Sequence, residues 1–356
     1  MKKYLIVGLA ALAALVACTK QISGDSRQEI AFRVANFTTK ANVAFTGADF
    51  AAYSWHHAQD GTVTPMMDNE RVGRKGSEWK TLDHTFYWPK SGSLNFISYA
   101  PYMADKSKVT VTEEGIRFEA YSVGADDLMY ADKAVNQTEN ITPGTYSEVS
   151  GANGVPTLFH HALAKLSFQV QANFLDHTAE DGSKTSWEVT LSEATLGGIL
   201  NTGTLDLTLA SDGTRWETAG WSADRSKTAD ETALVTGDPV ELKTVAQPLF
   251  DGNSFFVLPQ DLLQGQQTIT FSFDIVTHLP NGNKLTETYS QTLDLVALSS
   301  IDKWEMNKNI VYTIQIRPTK SFNPGEHPND PDDAIITFDP AQADWETVRG
   351  DVTIQL

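Results

Sequence analysis

Three kinds of side chain in this sequence could do chemistry: one thiol, paired histidines and paired aspartates. A thiol can be acylated, imidazole rings can bind a metal, and carboxylates can act as acid, base or calcium ligand. The residues concerned are Cys18, which is the only cysteine, the pairs His56-His57 and His160-His161, and the pairs Asp126-Asp127 and Asp332-Asp333.

The paired residues do not form a site that the sequence supports. Neighbours in a strand point to opposite faces, so an adjacent histidine pair cannot hold one metal ion with both rings. No EF-hand spacing accompanies the aspartates, and the sequence shows no Gly-rich phosphate loop, Ser-His-Asp order or Cys/His cluster. The sequence therefore predicts a protein that is not an enzyme and needs no metal or cofactor.

Cys18 ends a hydrophobic leader. Lys2 and Lys3 precede an apolar run over residues 4–15, which is too short for the roughly 20 residues of a membrane span and is typical of a secretory signal. The ending Leu15-Val16-Ala17-Cys18 resembles a bacterial lipobox, in which the thiol is acylated and becomes the new N-terminus. We expect residues 1–18 to be a lipoprotein signal peptide, with palmitate on Cys18 holding the chain to the outer membrane. The alternative is an ordinary signal followed by a free thiol.

Composition narrows the partners. The formal net charge is -18 and no basic stripe is present, which argues against nucleic acid as a partner. Hydrophobic residues make up 41% of the chain, enough for substantial cores, and the length after the leader suggests two domains.

Hydrophobic periodicity predicts strands. Apolar and polar residues alternate over 164–172, which is the pattern of a half-buried strand. Residues 281–282, Asn-Gly, predict a hairpin that joins 268–279 to 285–295. Similar short repeats occur at 29–37, 94–99, 115–121, 187–191, 204–209, 268–276 and 309–316. No long helical period occurs, so we expect an all-β fold of β-sandwiches.

Turn-rich stretches divide the chain into four parts. Residues 1–18 are the leader, 19–153 a first sandwich, 154–320 a second sandwich, and 321–356 a tail. A Gly-rich stretch at 151–156 marks the first boundary. Residues 322–333 contain three prolines and four acidic residues, which favours an extended connector. Two strand-like pieces follow it, at 334–338 and 352–356.

Five segments carry distinctive residue patterns: WPKSGSLNFISYAP at 88–101, DLMYA at 127–131, FHHALAKL at 159–166, VLPQ at 257–260 and WEMNKNIVYTI at 304–314. In this order they resemble segments of the fimbrillins, which are type V pilin subunits of Gram-negative gut and oral anaerobes. The lipobox adds a sixth match.

The resemblance implies two tandem transthyretin-like β-sandwich domains with an extended C-terminal tail. It also implies a fimbrial role in adhesion: an outer membrane lipoprotein loses its first strand to a trypsin-like protease, and a strand of the next subunit fills the vacated groove. The partners it implies are other fimbrillin subunits, including anchor and tip proteins, the outer membrane through the lipid on Cys18, and host or bacterial surface glycans or proteins.

The residues suited to maturation lie near the N-terminus. Strand 29–37 is the expected removable strand, with Ile30, Phe32 and Val34 facing the groove, and the expected cut lies between Lys40 and Ala41. The alternative basic residues are Arg33 in the strand, and Arg71 and Arg74 in an expected loop at 69–76. In the competing interpretation the first strand is retained.

The tail is the expected donor strand in assembly. The connector gives it reach of about 3 Å per residue if it is extended. The alternative is that the tail folds back on its own second sandwich. The expected groove-filling residues are Ile335, Thr337, Val352, Ile354 and Leu356.

Two rival functions remain open. One is a membrane anchor for the fibre that keeps its lipid and first strand. The other is a tip adhesin or glycan-binding lipoprotein, in which Trp79, Trp216 and Trp221 stack on sugars.

Overall fold

Almost every element of this chain is a β-strand. The computed structural model describes residues 28–36, 43–44, 47, 49–140, 154–172, 176–210, 216–250, 253–298, 301–318 and 334–344. The single helix among them is α1 (Leu295–Leu298). The strands, in chain order, are β1 (Phe32–Asn36), β2 (Val43–Ala44), β3 (Phe50–His57), β4 (Val63–Lys75), β5 (Glu78–Thr81), β6 (Ser93–Ala100), β7 (Val109–Thr112), β8 (Gly115–Ser122), β9 (Met129–Ala131), β10 (Ala134–Gln137), β11 (Val155–His161), β12 (Ala164–Ala172), β13 (His177–Thr178), β14 (Lys184–Gly197), β15 (Thr202–Leu209), β16 (Trp216–Ala223), β17 (Thr232–Ala233), β18 (Val240–Glu241), β19 (Gln247–Pro248), β20 (Phe255–Val257), β21 (Gln260–Asp261), β22 (Thr268–His278), β23 (Lys284–Asp294), β24 (Lys303–Trp304), β25 (Lys308–Pro318) and β26 (Ala334–Asp344).

The first sheet closes on itself. Its order is β10-β6-β3-β4-β5-β1-β11-β9, with β2 paired to β1 outside this path. β9 also pairs with β6, where Tyr130 lies opposite Tyr99, and this pairing completes the closure. One face of the sheet forms a core that includes Phe32, Phe50 and Phe159. We call this the inner core.

β3 and β6 are buried on both faces. Phe50 belongs to the inner core, whereas its neighbours Ala51 and Tyr53 belong to a separate outer core. The expected alternation over 94–99 is therefore wrong, because β6 is buried at every position from Leu94 to Ala100. A strand covered on both faces reads as a continuous apolar run, since neither of its faces meets water.

A four-stranded sheet covers this outer face and takes strands from both predicted domains. Its order is β16-β15-β8-β7, and Leu205 and Leu207 of β15 join the outer core. β11, which follows the predicted boundary at residues 153 and 154, pairs with β1 and β9 of the first sheet. Strands from both sides of that boundary thus share sheets, and the outer faces of β3 and β6 are covered in part by β15 and β16. The division into domains at residues 153 and 154 stays a prediction.

Two further sheets face each other across a third core. One has the order β19-β12-β25-β26 with β20 on β12, and the other β13-β14-β22-β23 with β17 and β18 on β14. Phe168, Phe273 and Tyr312 lie in the core between them. A separate ribbon pairs β21 with β24.

The most regular sequence patterns agree with this region. Residues 164–172 form β12, whose side chains are buried at every second position. The predicted hairpin is β22–β23, and Gly282 in its turn has a φ of 82°. The all-β prediction is confirmed, while the arrangement as two tandem transthyretin-like sandwiches stays a prediction.

The expected loop at 69–76 is instead mainly strand. β4 runs to Lys75 and pairs with β3 on one side and β5 on the other. The β3–β4 register shifts near Asn69, which has a φ of 58°. The polar residues that suggested a loop therefore form an irregularity that bends the strand without ending it.

In the described part of the chain, no helix combines the length and the apolar character needed to cross a bilayer.

Candidate functional site

The candidate site is the seat of β1 in the first sheet. β1 runs parallel to β11, from Phe32 opposite Val155 to Asn36 opposite Phe159. On its other side, Phe32 lies opposite Trp79 of β5. A short strand close to the N-terminus thus fills a position between two strands of a closed sheet.

Ile30, together with Phe32 and Val34 of β1, belongs to the inner core. Ile30 and Phe32 are each 1% exposed and Val34 is 6% exposed, which confirms that these three side chains face inwards. The Phe32 ring meets Phe50 at 5.5 Å and Phe96 at 5.8 Å, both edge to face. Burying each of these side chains contributes on the order of 1.5–3 kcal/mol, so the strand fits a specific apolar groove.

Gly154 allows the backbone of β1 to approach closely. A Cβ at this position would lie 2.6 Å from the carbonyl carbon of Phe32 and 2.7 Å from the carbonyl oxygen of Ala31. Any larger residue would therefore have to displace the strand, since these are backbone atoms. Gly154 belongs to the stretch at 151–156 that predicts a boundary, and only the strand pairing reveals its role.

Asn140 holds the start of β1. Its Oδ1 accepts hydrogen bonds from the backbone N–H of Ala31 at 3.1 Å and from Nε1 of Trp88 at 3.0 Å. Its Nδ2 donates to the carbonyl oxygen of Glu29 at 2.8 Å. The sequence analysis missed this residue, because nothing in the surrounding polar segment distinguishes it from a loop asparagine.

A lysine reinforces the same end of the strand. Nζ of Lys80 lies 2.9 Å from a carboxylate oxygen of Glu29 and 2.9 Å from one of Glu78. The hydrogen bonds to Glu78 and Glu29 raise the pKa of Lys80 above its usual value. β5 therefore contacts this end of the strand through charge as well as through Trp79.

The basic residues considered for maturation lie in different surroundings. Arg33 is 5% exposed within β1. Arg71 is bound to Asp49 at 2.6 Å, and the guanidinium of Arg74 lies 4.9 Å from the Trp79 ring centre. Both belong to β4, so their expected place in a loop is corrected. Cys18, Lys40 and Ala41 lie outside the described residues.

Some of the candidate donor residues lie within the described residues and the others lie outside them. Ile335 and Thr337 belong to β26, opposite Arg317 and Gln315 of β25. In the single chain β26 thus ends the sheet β19-β12-β25-β26, and the donor role of these residues stays a prediction. The remaining three, Val352, Ile354 and Leu356, lie outside the described residues.

The histidine pairs bind different partners. Nε2 of His56 lies 2.9 Å from the carbonyl oxygen of Ser91, whereas Nε2 of His57 lies 2.6 Å from Glu113. Burial alone would raise the pKa of Glu113, but hydrogen bonds from Asn95 and His57 bring it below its usual value. The network joins β3 and β6 to the turn before β8.

The second histidine pair behaves similarly. His160 lies 2.9 Å from Asp132, and Nδ1 of His161 lies 2.5 Å from Oδ2 of Asp127. Each ring is thus paired with a separate carboxylate. Over the described ranges, no group of three or more His, Cys, Asp or Glu residues is arranged to hold a metal ion.

The three tryptophans proposed as a sugar-binding platform pack in or against the apolar cores. Trp79 is 7% exposed in the inner core, so its expected exposure is wrong. The indole N–H groups of Trp216 and Trp221 donate to the carbonyl oxygens of Ala131 and Ala162 at 3.2 and 2.6 Å. Both rings pack on the outer core.

Comparison with known proteins agrees on one family. A family model described as fimbrillin-like matches residues 38–345. A fimbrial protein from Bacteroides vulgatus is similar in structure, with a TM-score of 0.57, 17% identity, and coverage of 89% of this chain and 100% of that chain.

Two further solved structures are more distant. A suggested cell adhesion protein from Bacteroides ovatus gives a TM-score of 0.46 at 15% identity, covering 92% of this chain and 100% of that chain. The fimbrial anchor protein Mfa2 from Porphyromonas gingivalis gives 0.27 at 11% identity, covering 89% and 98%. A search of curated proteins finds no match.

The Bacteroides vulgatus protein shares the overall fold of this chain. The family model covers every described strand except β1, so it includes β5 and β11, the two strands between which β1 lies. The chain therefore belongs to the fimbrillin-like family.

Proposed function

We propose that this chain is a structural subunit of a surface fimbria that supports adhesion. It is exported as a lipoprotein, with palmitate on Cys18 anchoring the precursor to the outer membrane. Its partners are other fimbrillin subunits, and they join when a strand of one subunit replaces β1 of the next. The subunit has no catalytic residue, metal or cofactor in this scheme.

The position of β1 is the observation that supports the proposal best. A strand near the N-terminus occupies a groove between β5 and β11 and places Ile30, Phe32 and Val34 in the inner core. Its removal would expose both the unpaired backbone of β11 and the aromatic walls of the groove. Addition of another strand satisfies both, which is the physical basis of β-augmentation.

Lys40 is the preferred cleavage residue. Arg33 is buried, and the backbone of Arg71 and Arg74 is paired within β4. Proteases cut most readily at exposed segments that are not held in a ladder. Cleavage between Lys40 and Ala41 would release the strand at 29–37 together with the lipid on Cys18.

The tail from residue 334 onwards is the preferred donor. Among the described strands, β26 pairs only with β25, so its release breaks a single described ladder. Ile335 and Thr337 would leave β25, and Val352, Ile354 and Leu356 supply further alternating side chains for the groove. The connector at 322–333 gives the reach to a second subunit.

An anchor is the main alternative role, because an anchor would keep Cys18 and β1. A glycan-binding adhesin has less support, since Trp79 is buried and the indole N–H groups of Trp216 and Trp221 are bound to backbone carbonyls.

Mass spectrometry of the mature N-terminus, combined with Lys40→Gln, tests the proposal. In wild-type fibres we expect Ala41 to be the first residue. Lys40→Gln cells should retain acylated Cys18 and form no ladder of high-mass bands on unboiled gels, because the groove stays filled by β1.

Arg71→Gln is the matched control, since it removes an exposed basic residue within a paired strand and should leave cleavage unchanged. Fibres of normal length from Lys40→Gln cells would rule out this cleavage site. Mature fibres that still begin at Cys18 would rule out strand removal altogether and would favour the anchor.

A further inference from the structure

A surface cleft of about 710 Å³ lies between β16 and the β21–β24 ribbon. One wall consists of five consecutive residues of β16, from Ala219 to Ala223, and the other includes Trp304 and Met306. At its base the amide of Gln260 is bonded to the backbone of Leu200 in both directions, at 3.0 Å each. The polar groups at the base are therefore hydrogen-bonded to each other, so the walls of the cleft would make the specific contacts with an occupant.

The β16 wall is an open strand edge. β16 ends its sheet, and among the described strands it pairs only with β15. The backbone N–H of Asp224 donates to Thr202 of β15 at 2.8 Å. Since backbone groups alternate in direction along a strand, Ala219, Trp221 and Ala223 point their N–H and C=O groups away from β15, towards the cleft.

The part of this edge that lines the cleft, residues 219–223, has no Lys, Pro or bulge. Natural edges are protected by such features or by a covering segment. β16 reads Trp-Glu-Thr-Ala-Gly-Trp-Ser-Ala, and its register shift against β15 lies between Trp216 and Thr218, outside the cleft wall. The residues at the cleft are mostly small, which lets another backbone approach. An edge of this kind is a template for an added strand.

The charge of the cleft differs from that of the chain. Arg225, Lys303 and Lys308 line it together with two acidic residues, Asp261 and Glu305, whereas the whole chain carries -18. Lys303 lies 2.6 Å from Glu305. The lining therefore favours an occupant with a net negative charge.

The described chain ends at the rim of this cleft. β26 runs antiparallel to β25 and places its last residue, Asp344, opposite Lys308. Lys308 is itself part of the lining. Twelve residues follow Asp344, enough to extend about 40 Å, whereas the β16 wall needs about 15 Å.

Those twelve residues fit the cleft in composition. Trp345 comes first and can pack beside Met306, as aromatic side chains do at buried contacts. The last five residues alternate Val352, Ile354 and Leu356 with polar residues, which is a strand pattern. Glu346 and Asp351 outweigh Arg349, so the segment is acidic.

We propose that residues 345–356 occupy this cleft in the same chain before assembly, with 352–356 added as a strand to the open edge of β16. This inference rests on the proposed function in one respect, namely that the same residues later act as the donor strand. The cleft then stores the end of the tail in the unassembled subunit and keeps its apolar residues out of water.

Hydrogen exchange of the unassembled full-length chain in detergent tests this storage. Truncation after Asp344 should speed exchange of the peptide over residues 216–223 about tenfold or more, because its outward amides lose their partners. Ile354→Asp should have the same effect at full length. The strand at the opposite edge of the sheet, β7, should exchange at an unchanged rate.

A synthetic peptide of residues 345–356 completes the test. It should restore protection to the truncated chain in a saturable way, and Arg225→Glu combined with Lys303→Glu should weaken this binding at least about tenfold at low salt. Lys284→Glu, in the β22–β23 hairpin, is the control and should bind normally.

Three results would overturn the inference: unchanged exchange after truncation, no peptide binding, or protection that depends on protein concentration. The third result would mean that the tail comes from a second copy. All these measurements use unassembled chains, so their failure leaves the proposed function untouched. Conversely, fibres that form without the tail would refute the proposed function and leave storage in the cleft standing.

Discussion

At the scale of single residues, the seat of β1 selects its occupant by shape. Phe50 and Phe96 stand edge to face against Phe32, so the central position of the groove fits a flat ring or an aliphatic side chain of similar length. Gly154 acts on the backbone of the strand, whatever its side chains are. Its constraint would therefore apply equally to β1 and to any strand that replaces it.

Gly154→Ala should destabilise the precursor by about 1–3 kcal/mol, because the added methyl group meets backbone atoms of Ala31 and Phe32. The same substitution should slow fibre growth, since an incoming strand meets the same obstruction. Urea unfolding and the gel ladder measure the two effects.

Gly237→Ala is the control for this prediction, because a Cβ at Gly237 has no atom within 4 Å and should change neither property. An equal loss of stability in both variants would show that the close approach at Gly154 is not the cause.

At the scale of elements, β1 and β26 differ in how they are held. β1 has strands on both sides within a closed sheet, whereas β26 lies at the edge of its sheet. The other neighbour of β25 is β12, and Ile310, Tyr312 and Ile314 of β25 lie in the third core. Loss of β1 thus leaves a gap inside a closed sheet, whereas loss of β26 removes one strand from the edge of a sheet.

Truncation after Thr319 should therefore leave a folded monomer that cannot assemble. Its near-ultraviolet circular dichroism and melting temperature should stay close to those of the full-length chain, because only an edge ladder is lost. No ladder of high-mass bands should form. If the truncated chain unfolds, β26 is part of the required core, and if ladders persist, the tail is not the donor.

Sequence patterns predicted the elements whose two faces meet different surroundings. β12 and β22 each have one buried face, and β23 alternates between exposed and half-buried positions over residues 284–289. Their alternation predicted both the strands and the hairpin. The burial of β6 on both faces could not be predicted in this way, since it depends on strands distant in sequence.

The candidate site was also predictable only in part. Ile30, Phe32 and Val34 follow the two-residue repeat of a strand and were identified correctly. Gly154 and Asn140 act through contacts with β1 that arise only in the folded chain. The open edge of β16 depends on strand order, which the sequence does not reveal.

At the scale of the whole molecule, the two halves of the chain share a sheet. β8 pairs with β15 from Gly115 opposite Thr208 to Ser122 opposite Thr202. The outer core then combines Tyr99 and Phe118 from the first half with Leu205 from the second. The two halves are therefore joined by backbone hydrogen bonds as well as by a shared apolar core.

Residues 19–153 and 154–356, expressed separately, should each fail to reach the native state. The first fragment lacks β11 and the cover of β15 and β16, and the second lacks β7 and β8, so each would expose a large apolar face. The full-length chain without its leader should melt in one calorimetric transition, as expected when cores share strands. Truncation after Thr319 is the control, because it removes chain of comparable kind without opening a shared sheet. If the 154–356 fragment shows native near-ultraviolet circular dichroism and its own cooperative transition, the halves fold independently, and the β8–β15 ladder is a contact between finished domains with no role in forming them.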